Sequence, residues 1–154
     1  MKFHLVDRKF LDHPRPFFIQ SMLASAIILG TLMILQFISP VIIAAIGATT
    51  FIVFAMPRNS TAGMRSIFGG HLIGMACGLA AAWIPYSEAA GSIAVGLSIF
   101  LMVILDAEHP PAAGTALGVA LEGYNAPSVA FIVAAAGLLA VAHLALRRWM
   151  VDLV

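Results

Sequence analysis

Asp106-Ala107-Glu108-His109-Pro110-Pro111-Ala112-Ala113-Gly114-Thr115-Ala116-Leu117-Gly118 constrains the architecture of this chain more than any other segment. It puts two carboxylates, an imidazole and a double proline directly behind an apolar run at residues 92–105. Ionisable groups at membrane depth cost several kcal/mol unless they face protein or water, which makes them functional by default. The prolines break a helix, and broken helices at membrane depth are tolerated only where they line a cavity or are packed in protein. A break, a charge cluster and a glycine-containing helix start together point to a solute pathway.

Working outward, the chain has 154 residues, 62% hydrophobic and 10% charged, with a formal net charge of +1. Soluble domains carry about a quarter charged residues, so this composition belongs to a polytopic membrane protein. The length allows one transmembrane domain. Aromatic residues are sparse and no basic stripe runs between them, so nothing supports nucleic-acid binding. Cys77 is the single cysteine and lies in an apolar run, which excludes an internal disulfide and a paired-cysteine metal site. No metal site or cofactor is expected. The polar N-terminus, with Lys2, Arg8, Lys9 and Arg15, lacks the apolar core of a signal peptide and reads as a cytoplasmic arm over residues 1–16.

Apolar runs follow at residues 17–38, 41–56, 67–84, 91–105, 112–121 and 126–146. A helix needs about 20 apolar residues to cross a bilayer core, so the second and fifth are short. The expectation is an all-α polytopic membrane protein with about six transmembrane elements, four long spans plus two short or re-entrant helices. Residues 17–148 form the membrane domain and 149–154 a cytoplasmic tail. Lysines and arginines favour the cytoplasmic side. If all six runs cross, the arm, Arg58, Arg65, the region near His109, Arg147 and Arg148 share that side, and the other loops hold Pro40, Glu88 and Glu122 but no lysine or arginine. Four spans with two re-entrant pieces would put Arg58 and Arg65 outside instead. The long–short–long order occurs twice, which suggests an inverted repeat of three plus three, with the solute site at the paired short segments. Gly47-Ala-Thr-Thr and Gly114-Thr-Ala resemble each other only loosely.

Pro110 and Pro111 suit the first positions of a helix, and the amides after them, around Ala112 to Thr115, can address an anion with help from the helix dipole. Gly114 would let a ligand approach the backbone, and Thr115 offers a hydroxyl. Asp106 and Glu108 would repel an anion if ionised, but could cap amides or share a proton. His109 has an intrinsic pKa near neutrality, which suits proton coupling. Arg58 and Asn59 in the polar connector at residues 57–66 could draw and bond an anion. Arg58 reads equally as a topology arginine. His71 either faces the site or packs among its glycines. Thr49 and Thr50 either line a pore or bond back to helix carbonyls, and His143 reads as an interfacial residue. Gly70, Gly74 and Gly78 are spaced for close helix approach. No GxSxG, HExxH or Walker signature occurs, so no enzymatic activity is expected.

The tripeptide His109-Pro110-Pro111 within residues 106–118, together with Pro57-Arg58-Asn59 and Gly69-Gly70-His71 with Gly74, resembles the HPP family of small integral membrane proteins. The resemblance covers residues 17 to 148. It implies a transporter-like protein, since plant chloroplast and cyanobacterial members are associated with nitrite transport. The resulting expectation is a homo-oligomer in a bacterial inner membrane, with both termini cytoplasmic, that moves a small inorganic anion such as nitrite, with protons as a partner. A membrane scaffold and a membrane-embedded enzyme are the alternatives.

Overall fold

The computed structural model describes residues 7–34 and 39–154. Lys2 and the end of the first apolar run, at residues 35–38, lie outside the described residues. The described residues are all-α: seven helices and one short 3-10 turn, with no strand among them. In chain order these are α1 (Arg8–Asp12), α2 (Pro14–Ile34), α3 (Pro40–Ala55), the 3-10 turn Ser60–Ala62, α4 (Met64–Ala81), α5 (Ser87–Ile104), α6 (Pro111–Glu122) and α7 (Ala126–Leu146). Three segments are long and apolar enough to cross a membrane: Pro14–Met33, Ser87–Ile104 and Ala126–Leu146. α4 is as long as α5 but carries Arg65, His71 and four glycines.

Local chemistry sets the helix ends. Ser39 caps α3, its hydroxyl accepting from the Val41 amide at 3.3 Å, with Pro40 in the first turn. Pro57 then prevents continuation beyond Met56. Asn125 caps α7 by accepting from the Ser128 amide at 3.4 Å. The end of α5 departs from the expectation that the prolines break it. The helix stops at Ile104, six residues before Pro110. Asp106 adopts a left-handed φ of 53°, the amide of Ala107 donates to Met102 O at 2.9 Å, and that of Asp106 donates to Val103 O at 3.3 Å. This is a Schellman stop. Asp106 therefore ends one helix, and Pro110 and Pro111 begin the next.

The shortest apolar helix, α6, sits at the centre with α3, α4 and α5 packed around it. Glycine ridges make this possible. A Cβ at Gly70 would stand 2.6 Å from His109 Cβ, and one at Gly78 would stand 2.7 Å from both Ala116 O and Val119 Cβ. One at Gly74 would run into the carbonyl oxygen of Ala112. The α4 backbone thus lies directly on α6, the close approach that small-residue spacing permits. On its other sides α6 meets α3 through Gly118 against Ile42, and α5 through Gly91 against Leu117. Ile42, Ile46, Val53, Phe54, Ile67, Phe131, Ile132 and Leu139 form the main apolar core. The outer faces of α2, α5 and α7 expose Phe18, Met22, Phe100, Val103, Leu138 and Val141, the pattern a lipid-facing surface requires.

The basic residues gather at one end of the bundle. Arg65 joins α4 to the end of α5 through Asp106 at 2.9 Å and by donating to Leu105 O at 2.7 Å. The C-terminal segment folds across the ends of α2 and α3. The Leu153 amide donates to Ala55 O at 2.9 Å, and Gln20 holds the Val151 backbone by accepting at 2.9 Å and donating at 3.0 Å. Gln20 also donates to Phe54 O, and Arg15 lines a cavity with Trp149 and Met150. At the far ends of α5, α6 and α7, the turns at residues 82–87 and 123–125 hold no lysine or arginine.

Candidate functional site

The connector between α3 and α4 anchors the site. Asn59 folds its own turn: Oδ1 accepts from the Thr61 amide and the Thr61 hydroxyl, each at 3.0 Å. Pro57 O accepts from His143 Nε2 at 2.7 Å, the Arg58 amide donates to Asp152 Oδ1 at 3.0 Å, and Ser66 donates to Ser60 O at 3.1 Å. So pinned, the turn aims the carbonyl of Thr61 inward, and His109 Nδ1 meets it at 2.8 Å.

From His109 a continuous polar cluster runs through three helices. His109 Nε2 is 2.9 Å from Thr49 Oγ1 on α3, and the same oxygen is 2.9 Å from His71 Nε2 on α4. His71 Nδ1 is 2.8 Å from Thr115 Oγ1 on α6. The two rings lie 5.1 Å apart, centroid to centroid. His109, Thr49 and Thr115 are fully buried, and His71 is 1% exposed.

The terminal carbonyl fixes where the hydrogens lie. Thr61 O can only accept, so Nδ1 of His109 carries a hydrogen and Nε2 of the neutral ring is an acceptor. The Thr49 hydroxyl supplies that bond, then accepts from Nε2–H of His71. Nδ1 of His71 is left to accept from the Thr115 hydroxyl. All five groups are satisfied with one direction of donation, as buried polar groups require.

Of the residues singled out from the sequence, the structure brings His109, His71 and Thr115 together. Arg58 and Asn59 stay outside: both are exposed, and Asn59 shapes the turn that presents Thr61 O. Asp106 points to the exposed ion pair with Arg65. Glu108 lines a groove of about 260 Å³ with Ile99, Met102, Val103, His109, Pro110 and Ala113. The anion cradle expected after the prolines is largely spoken for. The amide of Ala112 donates to His109 O at 2.8 Å and that of Ala113 to Pro110 O at 3.1 Å. Gly114 packs against Ala45, where an added Cβ would sit 3.2 Å away. That glycine serves helix packing, because α3 occupies the space a ligand would need.

Sequence reading under-rated Thr49. Ala45 O lies 3.0 Å from its hydroxyl, as a back-bonding threonine would place it, but the Thr49 oxygen also joins the two histidines. The loose likeness of Gly47-Ala-Thr-Thr to Gly114-Thr-Ala was the available signal: each short helix contributes one threonine to the cluster. Thr50 bonds only to Ile46 O at 2.9 Å. His143, read as interfacial, is 4% exposed and braces the connector. No group of three or more potential metal ligands occurs among the described residues.

Three long apolar helices and a buried polar cluster held between α3, α4 and α6 define an integral membrane protein. The family described as HPP, transmembrane region, matches residues 11–150, and the chain belongs to it. No curated protein and no solved structure matches the chain.

Proposed function

We propose that this protein is a transporter or facilitator for a small inorganic anion, nitrite being the first to test, with proton movement coupled to it at His109. The observation that carries the reading is the pair of buried histidines bridged by Thr49, where both short helices meet α4. Titratable groups at such depth are costly and rarely retained for packing alone. The family's association with nitrite supports the choice of anion by analogy. An anion entering a negative-inside cell works against about 2.3 kcal/mol per 100 mV, and a co-moving proton cancels that term. His109 is the proton carrier in this reading, Glu108 its neighbour at the groove, and His71 and Thr115 the groups nearest the moving anion. Arg58 supplies an attracting charge at the entrance.

The topology we propose has six membrane elements, α2 to α7, as an inverted repeat of three plus three. Both termini face the cytoplasm of a bacterial inner membrane, and the protein works as a homo-oligomer. The gathering of arginines at one end of the bundle supports this orientation. One observation favours a scaffold without transport: every polar side-chain atom of the cluster is already paired. Purified protein in liposomes decides between them. Nitrite, nitrate, chloride and formate fluxes are measured with and without a pH gradient. Flux of one or more anions above protein-free vesicles, raised by an inward proton gradient, is expected. No flux of any anion in either direction overturns the transport reading.

A further inference from the structure

We propose that the buried cluster is a one-proton store in which the cation forms on His109 while His71 stays neutral, with the Thr49 hydroxyl as the switch. In the neutral arrangement the Thr49 hydrogen points at Nε2 of His109. A proton arriving at that nitrogen takes its lone pair, and Nε2–H then donates to Thr49 Oγ1. The Thr49 hydrogen has an alternative acceptor in place, Ala45 O at 3.0 Å. Thr49 Oγ1 then accepts from both rings with its two lone pairs and donates to the helix carbonyl. One proton is gained, one O–H bond rotates, no heavy atom moves, and each N–H of the imidazolium keeps an oxygen partner.

The same step at His71 fails the satisfaction test. A proton there makes Nδ1 a donor to Thr115 Oγ1, so the Thr115 hydrogen must find another acceptor. Among the described residues its hydroxyl has no other partner. A buried hydroxyl hydrogen left unpaired costs about 1–3 kcal/mol. The two rings are therefore inequivalent although they share one threonine. Once His109 is charged, the neighbouring ring also repels a second proton, so the capacity is one.

Charged and titratable neighbours do not reverse this order. α4 contributes His71 itself to the surroundings of His109, α3 contributes the uncharged Thr49, and the connector contributes the Thr61 carbonyl. Glu108, adjacent to His109 in the chain, lines the same groove and makes no hydrogen bond with either ring among the described residues. Arg65 and Asp106 neutralise each other at the exposed end of α5. Use of the stored proton to accompany an anion rests on the transport reading above; its residence on His109 does not.

Nitrogen-15 magic-angle-spinning NMR of the histidine-labelled full chain in lipid bilayers reads the two rings directly. Nitrogen–carbon correlations through the neighbouring residues, Gly70 before His71 and Pro110 after His109, assign them in the wild-type protein, with His71→Gln and His109→Gln as a check. The neutral wild-type protein is expected to carry hydrogen on Nδ1 of His109 and on Nε2 of His71. On acidification the first imidazolium should appear at His109, preferred over His71 by roughly tenfold or more, the equivalent of one unpaired buried hydroxyl. Thr49→Val should erase that preference. A neutral His109 with hydrogen on Nε2, or a cation forming first or equally on His71 in the wild-type protein, overturns the proposal. Because the wild-type spectra decide, a variant that fails to fold leaves the test intact. A chain that moves no anion yet titrates in this order sinks the transport reading alone.

Discussion

Replacing Thr49 by valine should destabilise the protein far more than replacing Thr50, although the two are neighbours on α3 and both are buried. Thr50 loses its bond to Ile46 O at 2.9 Å, while Ala45 O, 3.0 Å from Thr49 Oγ1, is only a spare acceptor as long as the Thr49 hydrogen serves His109. Valine and threonine have similar helix propensity and shape, so these contributions cancel in the comparison. What remains is the pair of imidazole nitrogens that Thr49 Oγ1 serves at 2.9 Å each. With Nδ1 of His109 held by Thr61 O and Nδ1 of His71 held by Thr115, both Nε2 atoms lose their partner at once. At about 1–3 kcal/mol per unpaired buried polar group the difference is about 2–6 kcal/mol, toward the low end if the rings shift to reach each other. Thr50→Val should stay within roughly 1 kcal/mol of wild type, and Thr49→Ser, which keeps the oxygen, should recover most of the loss. Equilibrium unfolding in mixed micelles with increasing sodium dodecyl sulfate, followed by helical circular dichroism, gives the three differences. Equal losses for Thr49→Val and Thr50→Val would mean that the shared oxygen contributes nothing.

Gly74→Ala should abolish monodisperse folded protein or cost at least about 1–3 kcal/mol, because the added methyl group meets the Ala112 carbonyl and α4 must lift off α6. Gly96→Ala and Gly137→Ala, helical positions with open space around the new methyl, should be neutral or gain up to about 1 kcal/mol from helix propensity. Size-exclusion profiles with thermal unfolding separate these outcomes, and a stable Gly74→Ala protein would contradict the contact. Single cysteines at Ser60 and Ser87 in a Cys77→Ala background should react with impermeant reagent from opposite sides of the membrane, Ser60 from the cytoplasm; labelling of both from one side removes the six-element topology. In liposomes, His109→Gln should keep part of any anion exchange without a pH gradient and lose gradient-driven accumulation, whereas Arg58→Gln should weaken apparent anion affinity. An unchanged pH response in His109→Gln would assign the imidazole to holding the connector through Thr61 O.

The last span was legible to the residue: residues 126–146 are apolar between an asparagine cap and an arginine pair, and α7 is Ala126–Leu146. The others shifted because hydropathy and helix formation obey different rules. α2 starts at Pro14, before the apolar run, since proline is favoured in a first turn. α4 takes in Met64, Arg65 and Ser66, which hydropathy places in the loop but nothing bars from a helix. α5 likewise takes in Ser87 and Glu88, with an acidic residue suited to its first turn. The stop at Asp106 was illegible because the left-handed position there is held by aspartate where glycine is usual. His109 and His71 stood out as ionisable groups in apolar surroundings. Their common partner did not, because a threonine inside an apolar helix has a sufficient local explanation in its i−4 carbonyl. Only the packing of α3 and α4 against α6, which brings His71 within reach of α3, gives Thr49 its second role.

That packing also explains where the glycines stand relative to the cluster. His71 follows Gly70, the residue whose missing side chain leaves room for His109, since a Cβ there would stand 2.6 Å from His109 Cβ. One turn later Gly74 admits the Ala112 backbone, and Thr115 follows on α6 at the height of His71 Nδ1. On the other side Gly114 admits Ala45, whose carbonyl is the spare acceptor for Thr49. The glycine contacts thus bring α3 and α4 close to α6 on either side of the cluster. Without that approach the short hydroxyl of threonine could not reach two imidazoles. The small-residue spacing and the buried histidines are one device: helix contacts tight enough to exclude lipid and water set the distances of a hydrogen-bonded cluster that either solvent would otherwise disrupt.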